Sequence, residues 1–258
     1  MTLSIILAAG RGSRMKGFQK NKTCISLLQD YDYPMILEIL KNTFGKKVIV
    51  VNYRKEDVMK VTSHIKNIIY SEQPELNGTG GAILSCYEII KRSEVEHILI
   101  TMGDVPLVKR STYLSLIQGL KKEYMMVLGF FTENKRQYGL LEIEGDRVKR
   151  IVEWAIWKDL SEKEKMKLNI CNSGIYAIRK DVLIKYMPYL KENPHIVIKE
   201  RDGIPRKIKE YFLTDLVEYL SRDGIGVGYS IADEDEVVGV DDIDSLSYAR
   251  KLFLSKRA

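Results

Sequence analysis

The sequence predicts an α/β fold class, with a mixed, mostly parallel central sheet and a small β-hairpin region. Three observations carry that prediction. Short β-branched runs recur along the first half of the chain. Stretches of helical period separate consecutive runs, as parallel strands require, because each crossover must return over the sheet. After about residue 135 this alternation gives way to two short runs around a tight turn.

Taken in order, TLSIILAA reads as the first strand, PMILEILKNTF as a helix, KKVIVVNY as a strand, EDVMKVTSHI as a helix and NIIYSE as a strand. TGGAILSCYEIIKRS then reads as one helix, HILITMGD as a strand, STYLSLIQGLKKE as a helix and MMVLGFF as a strand. YGLLEIEGDRVKRIVEW gives two short strands around an EGD turn. SEKEKMKLN is a charged helical excursion with a solvated face, and CNSGIYAI an apolar strand. KENPHIVIKERDGIPRKIKEYF, rich in charge and broken by proline and glycine, reads as an irregular connection. FLTDLVEYLSRDG closes the pattern as a helix, IGVGYSIA as a strand, and DDIDSLSYARKLF as a final amphipathic helix opened by acidic residues. Without repeats, low-complexity tracts or a linker, the 258 residues, 45% hydrophobic, are expected to form a single domain.

The formal charge is +6 and 29% of residues are charged, but lysines and glutamates are interspersed. With no basic block and no aromatic-basic array, the balance suits small anions rather than nucleic acid. Cys24, Cys86 and Cys171 lie far apart and share no metal-ligand spacing with the histidines, which excludes a zinc site and fits a reducing cytoplasm. MTLSIILAA lacks a charged leader and ends too soon in a Gly/Arg turn to be a signal peptide. No run reaches the roughly 18 to 20 apolar residues of a membrane span, so a cytoplasmic protein is expected.

Chemistry concentrates at a few strand ends. In LAAGRGSRMKG, Gly10 and Gly12 let main-chain N–H groups approach phosphate oxygens, with Ser13, Arg11, Arg14 and Lys16 beside them. A dinucleotide fingerprint would need glycine at Met15, and a P-loop would need Gly-Lys-Ser/Thr; the stretch alone reads equally as an anion site or a surface turn. Asp104 follows the strand HILITMGD, where it can face a metal-bound phosphate or cap the next helix. Asp241 and Asp242 follow the β-like run VVGV, and carboxylates converging from distant segments suit Mg²⁺. EQPELNGTGGAIL starts a helix with glycines: Gln73 can read a base edge, or Thr79 can simply be the N-cap. Asn172 can hold a sugar hydroxyl or satisfy its own backbone.

Seven stretches, LAAGRGSRM, EQPELNGTGGA, TMGDVPLV, YGLLEIEGDRVKRIVE, NSGIYAI, YFLTDLVEYL and VVGVDD, occur in the order of the sugar-1-phosphate nucleotidyltransferases. Over nearly the whole chain the sequence resembles that family, most of all the pyrophosphorylase (uridyltransferase) domain of bacterial UDP-N-acetylglucosamine pyrophosphorylases. The resemblance implies a Rossmann-like, GT-A-like nucleotidyltransferase fold. It also implies Mg²⁺-dependent transfer from an NTP, UTP foremost, to a sugar 1-phosphate, N-acetylglucosamine 1-phosphate foremost, with release of pyrophosphate. By position, Leu7, Ala8, Ala9 and Gly10 would meet base and ribose, and Gly12 and Arg14 the phosphates. Gln73, Gly78 and Thr79 would recognise the base, Gly139, Glu153 and Asn172 the sugar, and Asp104 and Asp241 would hold the metal. The family's phosphate-binding lysine maps to Lys22 in NKTCISL, with Lys20 as the rival, and the implied catalytic pair is Arg14 and Lys22. Relatives commonly carry asparagine where Asp241 stands. They also continue into a left-handed β-helix acetyltransferase, an activity not expected here. Cytidylyl or thymidylyl transfer, or a non-catalytic nucleotide-sugar sensor, are the alternatives.

Overall fold

Strand β1 (Thr2–Leu7) is buried on both faces, which explains why its sequence is a nearly unbroken apolar run. The structure is a computed structural model that describes residues 1–15, 17–201 and 204–255; Lys16, counted above among the basic side chains, lies outside the described residues. The elements after β1 are α1 (Met35–Asn42), β2 (Lys46–Val51), α2 (Lys55–Thr62), β3 (Ile68–Glu72), α3 (Gly78–Leu84), α4 (Tyr87–Arg92) and β4 (His97–Met102). There follow α5 (Arg110–Gly119), β5 (Met125–Phe130), β6 (Leu140–Glu144), β7 (Arg147–Val152), α6 (Trp154–Trp157), α7 (Glu162–Lys165) and β8 (Cys171–Arg179). The last are α8 (Lys180–Glu192), β9 (His195–Arg201), β10 (Ile204–Glu210), α9 (Asp215–Arg222), β11 (Val227–Ala232) and α10 (Ile243–Ser255).

The main sheet runs β11-β5-β8-β4-β1-β2-β3, with β6 and β7 attached beside β8. β1 pairs in parallel with β2 and β4, and β2 with β3, as the strand-helix alternation predicts. β8 runs antiparallel to both β4 and β5, so the sheet is mixed but mostly parallel. Side chains alternate across it: Leu3, Ile5 and Leu7 join a core with Ile83 of α3, Leu183 of α8 and Leu216 of α9, whereas Ile6 faces Ile36 of α1 and Val58 of α2. In register, Leu7 lies opposite both Val50 and Met102, so the carboxyl ends of β1, β2 and β4 open on the same side.

Four expectations need correction. The stretch read as one helix from Thr79 to Ser93 breaks between α3 and α4, because the Ser71 hydroxyl takes the Ser85 carbonyl at 2.9 Å. Helix α8, absent from the sequence reading, contains Pro188; its buried face of Val182, Leu183, Tyr186, Met187 and Leu190 holds it despite the lost backbone donor. The connection read as irregular is an antiparallel hairpin, β9 with β10. Finally, the β-like run Val237–Val240 forms no strand: Val237 and Val240 are buried as plugs, and the Val240 N–H goes to the Asp104 carbonyl at 2.8 Å.

Candidate active site

The opening loop leaves β1 at Leu7 and is held in place by Asn21, which is fully buried. Its amide donates to the carbonyls of Ala8 (3.2 Å) and Tyr53 (2.7 Å), and its Oδ1 accepts from the N–H of Thr23 at 2.9 Å. This caps a single 3-10 turn, Lys22–Cys24, and aims Lys22 back at the strand ends. Close approach is possible because Gly103 follows β4: a Cβ there would stand 2.7 Å from the Leu7 carbonyl oxygen and 2.8 Å from Thr23 Cγ2.

A cavity of about 660 Å³ opens over these strand ends, and Leu7, Ala8, Ala9, Gly10, Gln73, Gly78 and Thr79 line it together with Lys22 and Asp104. The structure therefore brings most of the sequence-predicted nucleotide residues to one cleft. Gly12 is not on its wall; its α-carbon packs against the aliphatic part of Lys22. Gln73 is buried, and its Nε2 donates to Asn77 Oδ1 (3.0 Å) and the Gly78 carbonyl (3.1 Å), so its donor side shapes the loop. Thr79 is not the N-cap of α3, a position held by Asn77; its Oγ1 accepts from the Leu213 N–H at 3.2 Å. Gly78 has φ of +96°, and a Cβ on it would lie 2.3 Å from the Tyr211 carbonyl oxygen. That carbonyl accepts from Gly80 N–H at 2.8 Å, and Tyr211 N–H donates to the Asn77 carbonyl at 2.9 Å.

Charge gathers at one point of the cleft. Lys22 Nζ donates to Asp104 Oδ2 and, at 2.9 Å, to Asp241 Oδ1. The Lys22 and Asp104 side chains are 12% and 19% exposed, and Asp241 is 39% exposed. Burial by itself lowers the Lys22 pKa, but the two carboxylates outweigh it and leave the ammonium above its ordinary value. Arg14, exposed outside the cavity, stands 3.8 Å from Asp241 Oδ2. Lys20, the rival, points elsewhere and pairs with Asp32 at 3.9 Å. Asp104 does not cap α5, whose N-cap is Lys109. Asp241 owes its place to the Val240–Asp104 backbone bond and to Ser245, whose Oγ accepts from the N–H groups of Asp241 and Asp242 at 3.0 Å each.

A second cavity, about 420 Å³, holds Gly139, Glu153 and Asn172, the sugar residues of the sequence reading. Asn172 satisfies its own backbone, since Oδ1 accepts from Gly174 N–H at 3.1 Å, while Nδ2 donates to Tyr176 Oη at 2.7 Å. Glu153 accepts from Thr214 Oγ1 at 2.8 Å, and burial raises its carboxyl pKa. Gly139 packs its bare α-carbon toward Ile151 and Glu153. Gly78, Thr79, Met102, Asp104 and Glu210 lie on the walls of both cavities, which therefore meet at Asp104. Sequence reasoning missed Asn21, Tyr176, Glu210 and Thr214; the last two flank or lie within the quoted YFLTDLVEYL, so that stretch already carried a signal. The three free cysteines are buried and line neither cavity, and burial pushes their pKa values up to about 12 for Cys24 and about 11 for Cys86 and Cys171.

Main-chain amides and a carboxylate at the carboxyl ends of parallel strands, with a second carboxylate and cationic side chains brought up to them, are the equipment of an α/β protein that handles phosphate esters. The model of the MobA-like NTP transferase domain matches residues 4–165, and the chain belongs to that family. It is 32% identical over 261 residues to the bifunctional protein GlmU of Campylobacter jejuni subsp. doylei, covering 99% of this chain and 54% of that relative. GlmU of Bartonella quintana is 30% identical over 262 residues, covering 99% and 54%. The chain thus spans about half the length of the curated relatives it matches. Among solved structures, the uridine diphosphate N-acetylglucosamine pyrophosphorylase of Trypanosoma brucei aligns with a TM-score of 0.78, covering 98% of this chain and 65% of that one. At 13% identity that likeness is one of fold.

Proposed function

We propose that this chain transfers a nucleotidyl group from an NTP, UTP, to a sugar 1-phosphate, N-acetylglucosamine 1-phosphate, releasing pyrophosphate. The observation that carries the reading is the junction of the two cavities at Asp104, with Lys22, Asp241 and Arg14 gathered around it. Joining two phosphate esters brings anion against anion, and a site that does so needs two adjacent binding spaces and cationic charge between them. The similarity to GlmU supports the choice of substrates.

The residues fit a divalent metal. Lys22 shows that this point of the cleft holds positive charge between hard oxygen donors from two distant segments. Among the described residues there is no cluster of three or more metal-ligating side chains. A pair of carboxylates is a set that suits Mg²⁺, which completes its shell with water and phosphate oxygens. Asp104 and Asp241 would hold the ion, and when bound it supplies charge neutralisation at the phosphates.

In this reading Leu7, Ala8 and Ala9 form the floor for base and ribose, Gly10 presents main-chain N–H to the triphosphate, and Gly78 and Thr79 border the base. Gly12 acts indirectly by admitting Lys22. Glu153 and Asn172 take sugar hydroxyls, oriented by Thr214 and Tyr176. Lys22 and Arg14 offset the repulsion as a sugar-phosphate oxygen bonds the α-phosphorus; the bond to the bridging oxygen breaks and its electron pair leaves with pyrophosphate. The nucleophile is already anionic, so no general base is required. A cytoplasmic location belongs to the same proposal, in keeping with three unpaired cysteines.

The test is pyrophosphate release from a panel of four NTPs crossed with several sugar 1-phosphates in Mg²⁺. The expected best pair is UTP with N-acetylglucosamine 1-phosphate. A best rate with CTP or dTTP would replace the substrates while keeping the reaction. Binding of a nucleotide sugar without turnover with any pair would replace the enzyme with a sensor.

A further inference from the structure

The β9–β10 hairpin, read from the sequence as an irregular connection, takes no part in the proposed chemistry. Its strands pair only with each other among the described residues, yet its base sits on the rim of both cavities. At that base His195 lies opposite Glu210 in the ladder, and Glu210 is 8% exposed on the shared wall. One strand is thereby tied to the nucleotide side, since Tyr211, next to Glu210, exchanges backbone hydrogen bonds with Asn77 and Gly80. The other strand is tied to the opposite side by a side chain: His195 Nε2 lies 2.8 Å from Asp215 Oδ2, and its ring packs on Phe212 with centroids 4.7 Å apart.

We propose that His195 is a positioning residue, which through Asp215 and the adjoining Thr214 sets Glu153 in the second cavity, so that the hairpin governs affinity for the sugar phosphate. The proposal rests on the reading of that cavity as the sugar-phosphate site. The linkage is short. Asp215 is the first residue of α9, Thr214 precedes it as the N-cap, and Thr214 Oγ1 donates to Glu153 Oε1 at 2.8 Å. A clamp on Asp215 therefore fixes the same helical turn that orients Glu153. Charge supports the same conclusion, because Glu153, Glu210 and Asp215 share this corner. Burial raises the pKa of both Glu153 and Asp215, and the imidazole of His195 counters that push at each. Without His195, the half-shielded Asp215 carboxylate would be left to repel Glu153 and unsettle its bond from Thr214.

The test compares wild type, His195→Ala and His195→Gln for kcat and both KM values, together with calorimetric binding of the sugar phosphate to the complex with a non-hydrolysable NTP analogue. His195→Ala is expected to weaken sugar-phosphate KM and Kd about tenfold, the low end of losing a hydrogen bond to a charged group, with kcat and NTP KM within about twofold. His195→Gln places an amide donor within reach of the same carboxylate and is expected to restore affinity to within about threefold. Unchanged sugar-phosphate constants in His195→Ala would overturn the proposal. So would a uniform loss in kcat, both KM values and melting temperature that glutamine does not rescue, because that pattern marks a merely structural histidine. A wild type releasing no pyrophosphate with any pair refutes the parent reading instead, and this inference falls with it.

Discussion

Replacing Lys22 with methionine removes one positive charge while keeping an unbranched side chain of similar reach. The ammonium sits 2.9 Å from Asp241 Oδ1 and also bonds Asp104 Oδ2. A unit pair at that separation is worth about 6 kcal/mol at an effective dielectric constant of roughly 20, before desolvation is subtracted. Removing one partner of a fully buried pair costs about 3–5 kcal/mol. Asp241 is 39% exposed, so solvent screens part of its share. We therefore expect Lys22→Met to lower the unfolding free energy by about 2–3 kcal/mol, read as a shifted urea midpoint at constant slope. The sign with pH follows from the raised lysine pKa. A raised folded value means the contribution is fully present below the unfolded lysine value and is lost only as pH climbs through the folded one, so the deficit should be flat between about pH 6 and 9. Mg²⁺ should recover stability in the variant, by about 1.4 kcal/mol at ten times its Kd. Turnover should fall by about 10²–10³, the range for losing one preorganised electrostatic contact in a transition state. A variant within about 0.5 kcal/mol of wild type, indifferent to Mg²⁺ and still active, would show that the ion network is a surface accident.

The remaining predictions concern the carboxylates and the loop beside them. Asp104→Asn should cut kcat/KM by at least about 10²-fold and weaken Mn²⁺ binding measured by electron paramagnetic resonance, whereas Asp241→Asn, at the more exposed and better screened of the two carboxylates, should lose less. Gly78→Ala must place a side chain at φ of +96° and 2.3 Å from the Tyr211 carbonyl; a loss of at least about 2 kcal/mol in thermal melts is expected, with a raised KM for the NTP. Glu153→Gln tests the buried carboxyl, whose pKa burial raises. A raised carboxyl value gives stability that is present below the unfolded carboxylate range and lost as pH rises through the folded value. The glutamine variant should therefore melt higher than wild type near about pH 8, with the gap closing toward about pH 4, while its KM for the sugar phosphate rises.

The strand-helix alternation was legible because parallel strands buried on both faces are apolar over most of their length, as in Ile5–Leu7 of β1 and Val48–Val51 of β2. Helix α8 was not, because Pro188 mimics a boundary and the apolar face that overrides it becomes visible only against the sheet. The β9–β10 hairpin was hidden for a different reason. Ile196 and Ile198 are exposed on it and lie opposite Lys209 and Lys207, so neither face presents the clean alternation of a half-buried strand. At the site, residue types after strands pointed to Asp104 and the glycine loops, and Asp241 was singled out after a β-like run that forms no strand. The sequence resemblance preferred Lys22 to Lys20, but the physical difference between them is tertiary: Asn21, buried between the two, caps the turn that carries Lys22 to Asp104 and Asp241, while Lys20 pairs with Asp32.

The two carboxylates that bracket Lys22 are held by unequal means, and that inequality bears on the proposed chemistry. Asp104 follows a central strand directly, and the Gly103 N–H donates to the Leu7 carbonyl at 2.9 Å, so its backbone moves only if the sheet does. Asp241 rides on a loop with no strand pairing, held by the Val240–Asp104 bond, by Ser245 and by the burial of Val237 and Val240. Its side chain is twice as exposed as that of Asp104, and Arg14 approaches it from solvent. In the proposed reaction, rigidity on the strand side and latitude on the loop side would let one carboxylate define the position of a bound cation while the other follows the phosphates. Val240→Ala probes that division: it empties part of the plug beneath Asp241 without touching a charged group. It should cost about 1–2 kcal/mol of stability and a larger share of cation affinity than of nucleotide affinity, read by calorimetry with each alone. Equal losses for both would mean that the loop and the strand ends behave as one rigid unit.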